Sequence, residues 1–82
     1  MGRKEKIYEK VMSGKSDSNI DFSDFRYMIQ SMGFRERICG DHYFMSRGDM
    51  PERINIQPKG NKAKPYQVKQ VRELIKKYKL EV

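Results

Sequence analysis

The run Cys39-Gly40-Asp41-His42-Tyr43-Phe44-Met45 holds the only histidine of an 82-residue chain. An imidazole, with an unperturbed pKa of about 6.5, is the one side chain that gives or takes a proton at neutral pH without special tuning. His42 follows a glycine turn and opens an alternating, strand-like run, so its ring stands at a strand end. The competing reading is a structural histidine satisfied by one backbone hydrogen bond, and no nearby Ser, Cys or carboxylate constellation decides between the two. Cys39 is a weaker candidate nucleophile: a turn on Gly40-Asp41 sets it across from His42, but only Arg37 is near enough in sequence to activate it, and a free cysteine in a small domain is ordinarily packing. The chain has no His, Cys and carboxylate set with metal-ligand spacing, so no metal or other cofactor is expected.

The elements that must position His42 are legible from periodicity. Residues 3–13 form a helix with Ile7 and Val11 on one face and Gly14 as its C-cap. A second helix spans 22–32, with Ser23 as N-cap, Phe22 and Tyr27 as a hydrophobic staple, and Phe25, Met28, Ile29 and Met32 as its core stripe. Strands are expected at 34–38, 42–46 and 53–57. In the last, Ile54 and Ile56 point inward, and Arg53, Asn55 and Gln57 point outward. The first hairpin turns on Cys39-Gly40 or on Gly40-Asp41, and one step of register moves every side chain across the sheet. Arg47-Gly48-Asp49 reads as turn chemistry. Residues 58–65 form a basic loop without periodicity that opens a third helix over 65–78. On this helix Val68, Val71, Leu74, Ile75 and Tyr78 pack, while Lys69, Arg72, Lys76 and Lys77 stand around the rest. The tail 79–82 is expected to fray.

The order α-α-β-β-β-α predicts an α+β fold in two layers, with helices on one face of a three-stranded antiparallel sheet and the other face open to a ligand. Eighty-two residues make one thin-cored domain. The formal charge of +7 suits a polyanion. It is uneven: residues 1–57 carry 10 basic and 9 acidic side chains, whereas residues 58–82 carry 8 and 2. A single cysteine excludes an internal disulfide framework, and no apolar run approaches a membrane span or a signal-peptide core. A cytoplasmic protein with no membrane partner and no small-molecule ligand is the expectation.

A β-β-β-α core preceded by a helix is also the order of double-stranded-RNA-binding domains, in which a basic loop at the start of the last helix meets phosphates. The residues carry a narrower resemblance. Gly33-Phe34, Gly40-Asp41-His42-Tyr43, Ile54-Asn55-Ile56-Gln57-Pro58 and the run from Lys62-Ala63-Lys64-Pro65-Tyr66-Gln67-Val68-Lys69 to Arg72 together resemble the HicA family of bacterial toxin endoribonucleases. The resemblance covers roughly residues 20–80, with the helix at 1–14 as an extension of that core in a single domain. The family's turn reads Gly-Ser/Asp-His, often with a second histidine. Gly40, Asp41 and His42 match it, and Tyr43 departs from it, which removes any argument for a two-histidine acid–base pair.

This resemblance implies a toxin that cleaves messenger RNA, with His42 as the catalytic residue and a HicB-type antitoxin as partner. The chemistry needs no metal, because RNA carries its own nucleophile in the 2′-hydroxyl. His42 would serve as base, or as acid for the leaving 5′-oxygen. Tyr43 and Asp41 are candidates for a second proton carrier. Lys59, Lys62 and Lys64 on the basic loop, with Lys69 on the helix behind it, are candidates for holding the RNA backbone. Two further readings are a non-catalytic RNA-binding module, for which His42 is dispensable, and a protein-interaction subunit whose basic face meets only an acidic partner.

Overall fold

A computed structural model describes residues 2–82. Three helices, α1 (Arg3–Ser13), α2 (Phe22–Ser31) and α3 (Pro65–Tyr78), accompany a sheet of β1 (Arg35–Cys39), β2 (His42–Ser46) and β3 (Ile54–Ile56) and a small hairpin of β4 (Pro58–Lys59) and β5 (Lys62–Ala63). The sheet runs in the order β1-β2-β3, antiparallel throughout. This is the small α+β domain expected from periodicity. β1 lies one residue later than expected, leaving Phe34 buried just ahead of it, and β3 is shorter at both ends.

One cluster of apolar side chains joins all the layers. Ile7 and Val11 of α1, Phe25, Met28 and Ile29 of α2, and Val68, Val71 and Ile75 of α3 meet Met45, Ile54 and Ile56 from the inner face of the sheet. Each fully buried side chain of this size contributes about 1.5–3 kcal/mol of transfer free energy. Helix α1 is part of that cluster, with Val11 wholly inaccessible. Its C-terminus is closed by Gly14, whose φ of 72° allows its N–H to reach the Val11 carbonyl.

The structure corrects the sequence reading at four places. Helix α2 begins at Phe22, as its expected bounds have it, but Asp21 rather than Ser23 occupies the N-cap position, without a side-chain cap bond. Its carboxylate is drawn instead to Lys62 Nζ at 2.8 Å. Residues 20–22 lie along the β4–β5 hairpin, with Ala63 N–H donating to Ile20 O (2.8 Å) and Phe22 N–H to Asn61 O (2.9 Å). Phe22 is therefore buried and packs edge-on against Tyr43, while Tyr27 lies exposed under Arg3, so there is no staple. The basic stretch 58–65 is this hairpin rather than an irregular loop.

Arg72 is the third correction. It is buried, with 8% of its surface exposed. Its guanidinium donates to the Val11 carbonyl (3.0 Å) and to both carboxylate oxygens of Asp17 (2.8 and 3.0 Å). One side chain of α3 thus closes the end of α1 and fixes the following loop. Fourth, the C-terminal tail is docked: Leu80 is buried, its N–H reaches Ile75 O (3.0 Å), and its carbonyl accepts from the Tyr8 hydroxyl (3.0 Å). The Arg47–Asp49 tripeptide is the turn it was expected to be. Met50 N–H closes onto Arg47 O (3.2 Å), and the Arg47 and Asp49 side chains pair with each other.

Two stability experiments follow from these contacts. Arg72→Ala strands Asp17 and the Val11 carbonyl under cover and is expected to cost about 3 kcal/mol, read as a denaturation midpoint shift at unchanged slope. The second concerns Glu52, which a hydrogen bond from Lys77, then one from Tyr78, holds below its ordinary value of 4.5 against a smaller opposing effect of desolvation. A depressed carboxyl contributes stability that is present above its unfolded pKa and lost as pH falls through the folded one. Melting temperature is therefore expected to drop between about pH 5 and pH 2, with a smaller drop in Glu52→Gln.

Candidate active site

The register of β1 against β2 pairs Cys39 with His42, so the hairpin turns on Gly40-Asp41. Gly40 takes a φ of 62°, and Asp41 stays at negative φ, the pattern of a two-residue turn with glycine at its first central position. With the register fixed, strand alternation assigns the faces. Tyr43 and Met45 point to the helices. His42, Phe44 and Ser46 point to the open side, flanked by Arg35, Arg37 and Cys39 of β1 and by Asn55 of β3.

This parity removes Tyr43 as a proton carrier for His42. Its ring lies on the inner face, against Phe22 and beneath the Arg26 guanidinium at 4.6 Å, and Arg26 is itself clamped to Glu36. The Glu36 hydrogen bond, more than any other influence, raises the Arg26 pKa further. Asp41 remains close, with Oδ1 3.8 Å from His42 Nε2. Cys39 is exposed beside His42, but the ring nitrogens are engaged by amides rather than by the thiol.

Extending the β2–β3 ladder one step beyond Tyr43–Ile56 sets Gln57 directly across from His42. The Gln57 amide nitrogen lies 2.8 Å from His42 Nε2 and 3.1 Å from Nδ1, and Asn55 Oδ1 lies 3.4 Å from Nδ1. The other end of the Gln57 amide is committed: its Oε1 accepts from Lys64 Nζ at 2.7 Å. An ammonium can only donate, so this contact dictates which way the amide faces. The NH2 group must then donate to the imidazole. These contacts match a ring nitrogen that accepts from Gln57, and Asn55 Oδ1 beside Nδ1 favours the tautomer protonated at Nδ1. The Gln57 backbone N–H donates to the side-chain oxygen of buried Gln67 (2.9 Å), which ties the end of β3 to the first turn of α3.

The four lysines separate. Lys64, the N-cap residue of α3, belongs to the histidine's network. Lys62 is paired with Asp21, whose pKa it depresses through that hydrogen bond and its charge. Lys59 lies across from Lys62 on the hairpin, and Lys69 is exposed on α3. Gln57 and Asn55 were recognised from sequence only as outward-facing. Pairing them with His42 requires the register of β2 against β3, whose connection over residues 47–53 carries no short-turn signal to set it. Among the described residues no group of three His, Cys, Asp or Glu side chains could hold a metal ion, and no helix is long and apolar enough to cross a membrane. Comparison with protein-family models, with curated proteins and with solved structures found no match.

The chain from Lys64 through Gln57 makes the tautomer of His42 testable. Long-range nitrogen–proton NMR of the neutral ring is expected to show the Nδ1–H form alone in the native protein. In Lys64→Met, where the Gln57 amide is free to turn, a mixture is expected; an unchanged pattern would mean that Lys64 does not orient the amide.

Proposed function

We propose that this protein is a metal-independent endoribonuclease, a toxin of the HicA type with a double-stranded-RNA-binding-domain-like fold, and that His42 is its general base. The observation that carries the reading is the Lys64–Gln57–His42 chain, in which the oriented amide donates toward the ring and so favours an unprotonated ring nitrogen, whose lone pair the 2′-hydroxyl reaches by displacing that amide. A base must have that lone pair, and a merely structural histidine has no need of a cation two bonds removed to secure it.

In this mechanism the 2′-hydroxyl of one nucleotide gives its proton to His42 Nε2 as its oxygen attacks the adjacent phosphorus. The bond from phosphorus to the 5′-oxygen breaks, and that oxygen takes a proton from the imidazolium or from water. The products are a 2′,3′-cyclic phosphate and a 5′-hydroxyl. Asp41, near Nε2, favours the imidazolium as it forms. Lys64, whose ammonium is held beside the same amide, supplies positive charge for the phosphorane. Proton transfer of this kind contributes about 10²–10⁴-fold to rate. The family resemblance further implies inhibition by a HicB-type antitoxin that covers this face.

His42 is partly exposed at a strand end, with 44% of its side chain accessible. Its replacement by alanine should cost no more than about 0.5 kcal/mol. Expressed without an antitoxin, His42→Ala is expected to lose growth arrest and RNA cleavage while melting like the native protein. Cleavage near the native rate would remove His42 from the mechanism, and loss of folding would make it a structural residue.

A further inference from the structure

The open face carries more than the histidine. Across the sheet, Arg37 and Asn55 flank Phe44, and Arg35 flanks Ser46. One further step along the β2–β3 ladder brings Arg53 to the other side of Ser46. Arg35, Arg37, Phe44, Ser46, Arg53 and Cys39 line an open groove of about 480 Å³. Phe44 keeps 39% of its surface exposed, although an inward-facing aromatic could have been wholly buried in so small a domain. Its ring lies nearly parallel to that of His42, at 13° with centroids 5.8 Å apart. Among the described residues, Arg3, Arg26, Arg47 and Arg72 all pair with carboxylates, whereas Arg35, Arg37 and Arg53 pair with none.

We infer that this face is a binding platform for single-stranded RNA: an unpaired base stacks on Phe44, and Arg35, Arg37 and Arg53 hold the phosphates that run past it. The inference rests on the ribonuclease reading and names the form of its substrate. A flat aromatic beside His42 offers nothing to a duplex, whose bases are stacked on one another and whose exposed surface is backbone. An unpaired base can lie on the ring, and its strand then passes directly over the imidazole. Guanidiniums without carboxylate partners have their forked donors free for phosphate oxygens. The charge of the face also speaks against an apolar protein surface as its occupant.

The test is binding by the full-length protein to fluorescein-labelled oligonucleotides with 2′-O-methyl riboses, which cannot be cleaved by 2′-hydroxyl attack. Affinity is thereby read independently of catalysis. The native protein is expected to bind a single-stranded twelve-mer more tightly than the same sequence in a duplex. Phe44→Leu, which keeps an apolar side chain but no stacking face, should weaken single-strand binding by about 5- to 100-fold. Replacing Arg35, Arg37 and Arg53 together by alanine should reduce the slope of log affinity against log salt by about 2, whereas the triple lysine variant should keep it. Equal affinity for duplex and single strand, or native affinity in Phe44→Leu with an unaltered salt slope in the triple alanine variant, would overturn the platform. So would displacement of RNA by poly-glutamate with equal efficiency from native protein and Phe44→Leu, the mark of an acidic protein as the occupant. Cleavage of unmodified RNA is scored separately. Phe44-dependent binding without cleavage supports the platform and removes the ribonuclease, and cleavage indifferent to these substitutions does the reverse.

Discussion

A chain of this length can cover only one face of a three-stranded sheet, and that constraint organises everything else. The helices spend their apolar stripes on the side marked by Met45, Ile54 and Ile56. Strand residues of the opposite parity are thereby released from the demands of packing. A position that need not be apolar can be histidine, arginine, asparagine or glutamine at small cost to stability. His42, Asn55 and the three arginines occupy such positions. Phe44 is the apolar member of that set, an aromatic that keeps 39% of its surface exposed on the uncovered face.

The same thinness of core accounts for the buried polar side chains of α3. Apolar side chains of Val68, Val71 and Ile75 fill the space toward the sheet, but the ends of α1 and β3 leave backbone groups that need partners in partly covered positions. Arg72 meets the Val11 carbonyl, and Gln67 meets the Gln57 N–H. Both belong to the helix that begins with Pro65, so α3 both seals the fold and fixes the strand end bearing Gln57. Stability and site geometry are coupled through one helix.

Periodicity made the main elements legible because their apolar residues recur at unambiguous spacing: α1, β2 and α3 have the bounds expected for them, and α2 differs by one residue at its C-terminus. What it could not supply were choices made by polar groups with several potential partners. Asp21 could cap α2 or pair with Lys62, and pairing of residues 20–22 with the hairpin decided it. Arg72 lies on a helix whose other charged residues are solvated, and only the approach of α1 and Asp17 draws it inside. The hairpin at 58–63 has two-residue strands, too short for alternation to register. At the candidate site, the histidine and its glycine turn were legible, and Lys64 was singled out as a backbone-binding lysine. Its contact with Gln57 lies one step beyond the Pro58–Ala63 pair of the hairpin whose two-residue strands gave no alternation to read.

Net charge by segment also proved a poor guide to where positive potential is free. The C-terminal third holds nearly all the excess, yet several of its cations are engaged: Lys62 with Asp21, Arg72 with Asp17, Lys77 with Glu52 and Lys64 with Gln57. Residues 1–57 are close to neutral, but six of their nine acids are committed, to Arg3, Arg26 and Arg47 within the segment and to Lys62, Arg72 and Lys77 beyond it. Acids drawn into pairs across the fold no longer offset the arginines of the sheet. The field presented by Arg35, Arg37 and Arg53 therefore arises in the segment whose composition is nearly balanced. Charge that folding leaves unpaired, rather than charge in excess, determines which face of a basic domain meets a polyanion.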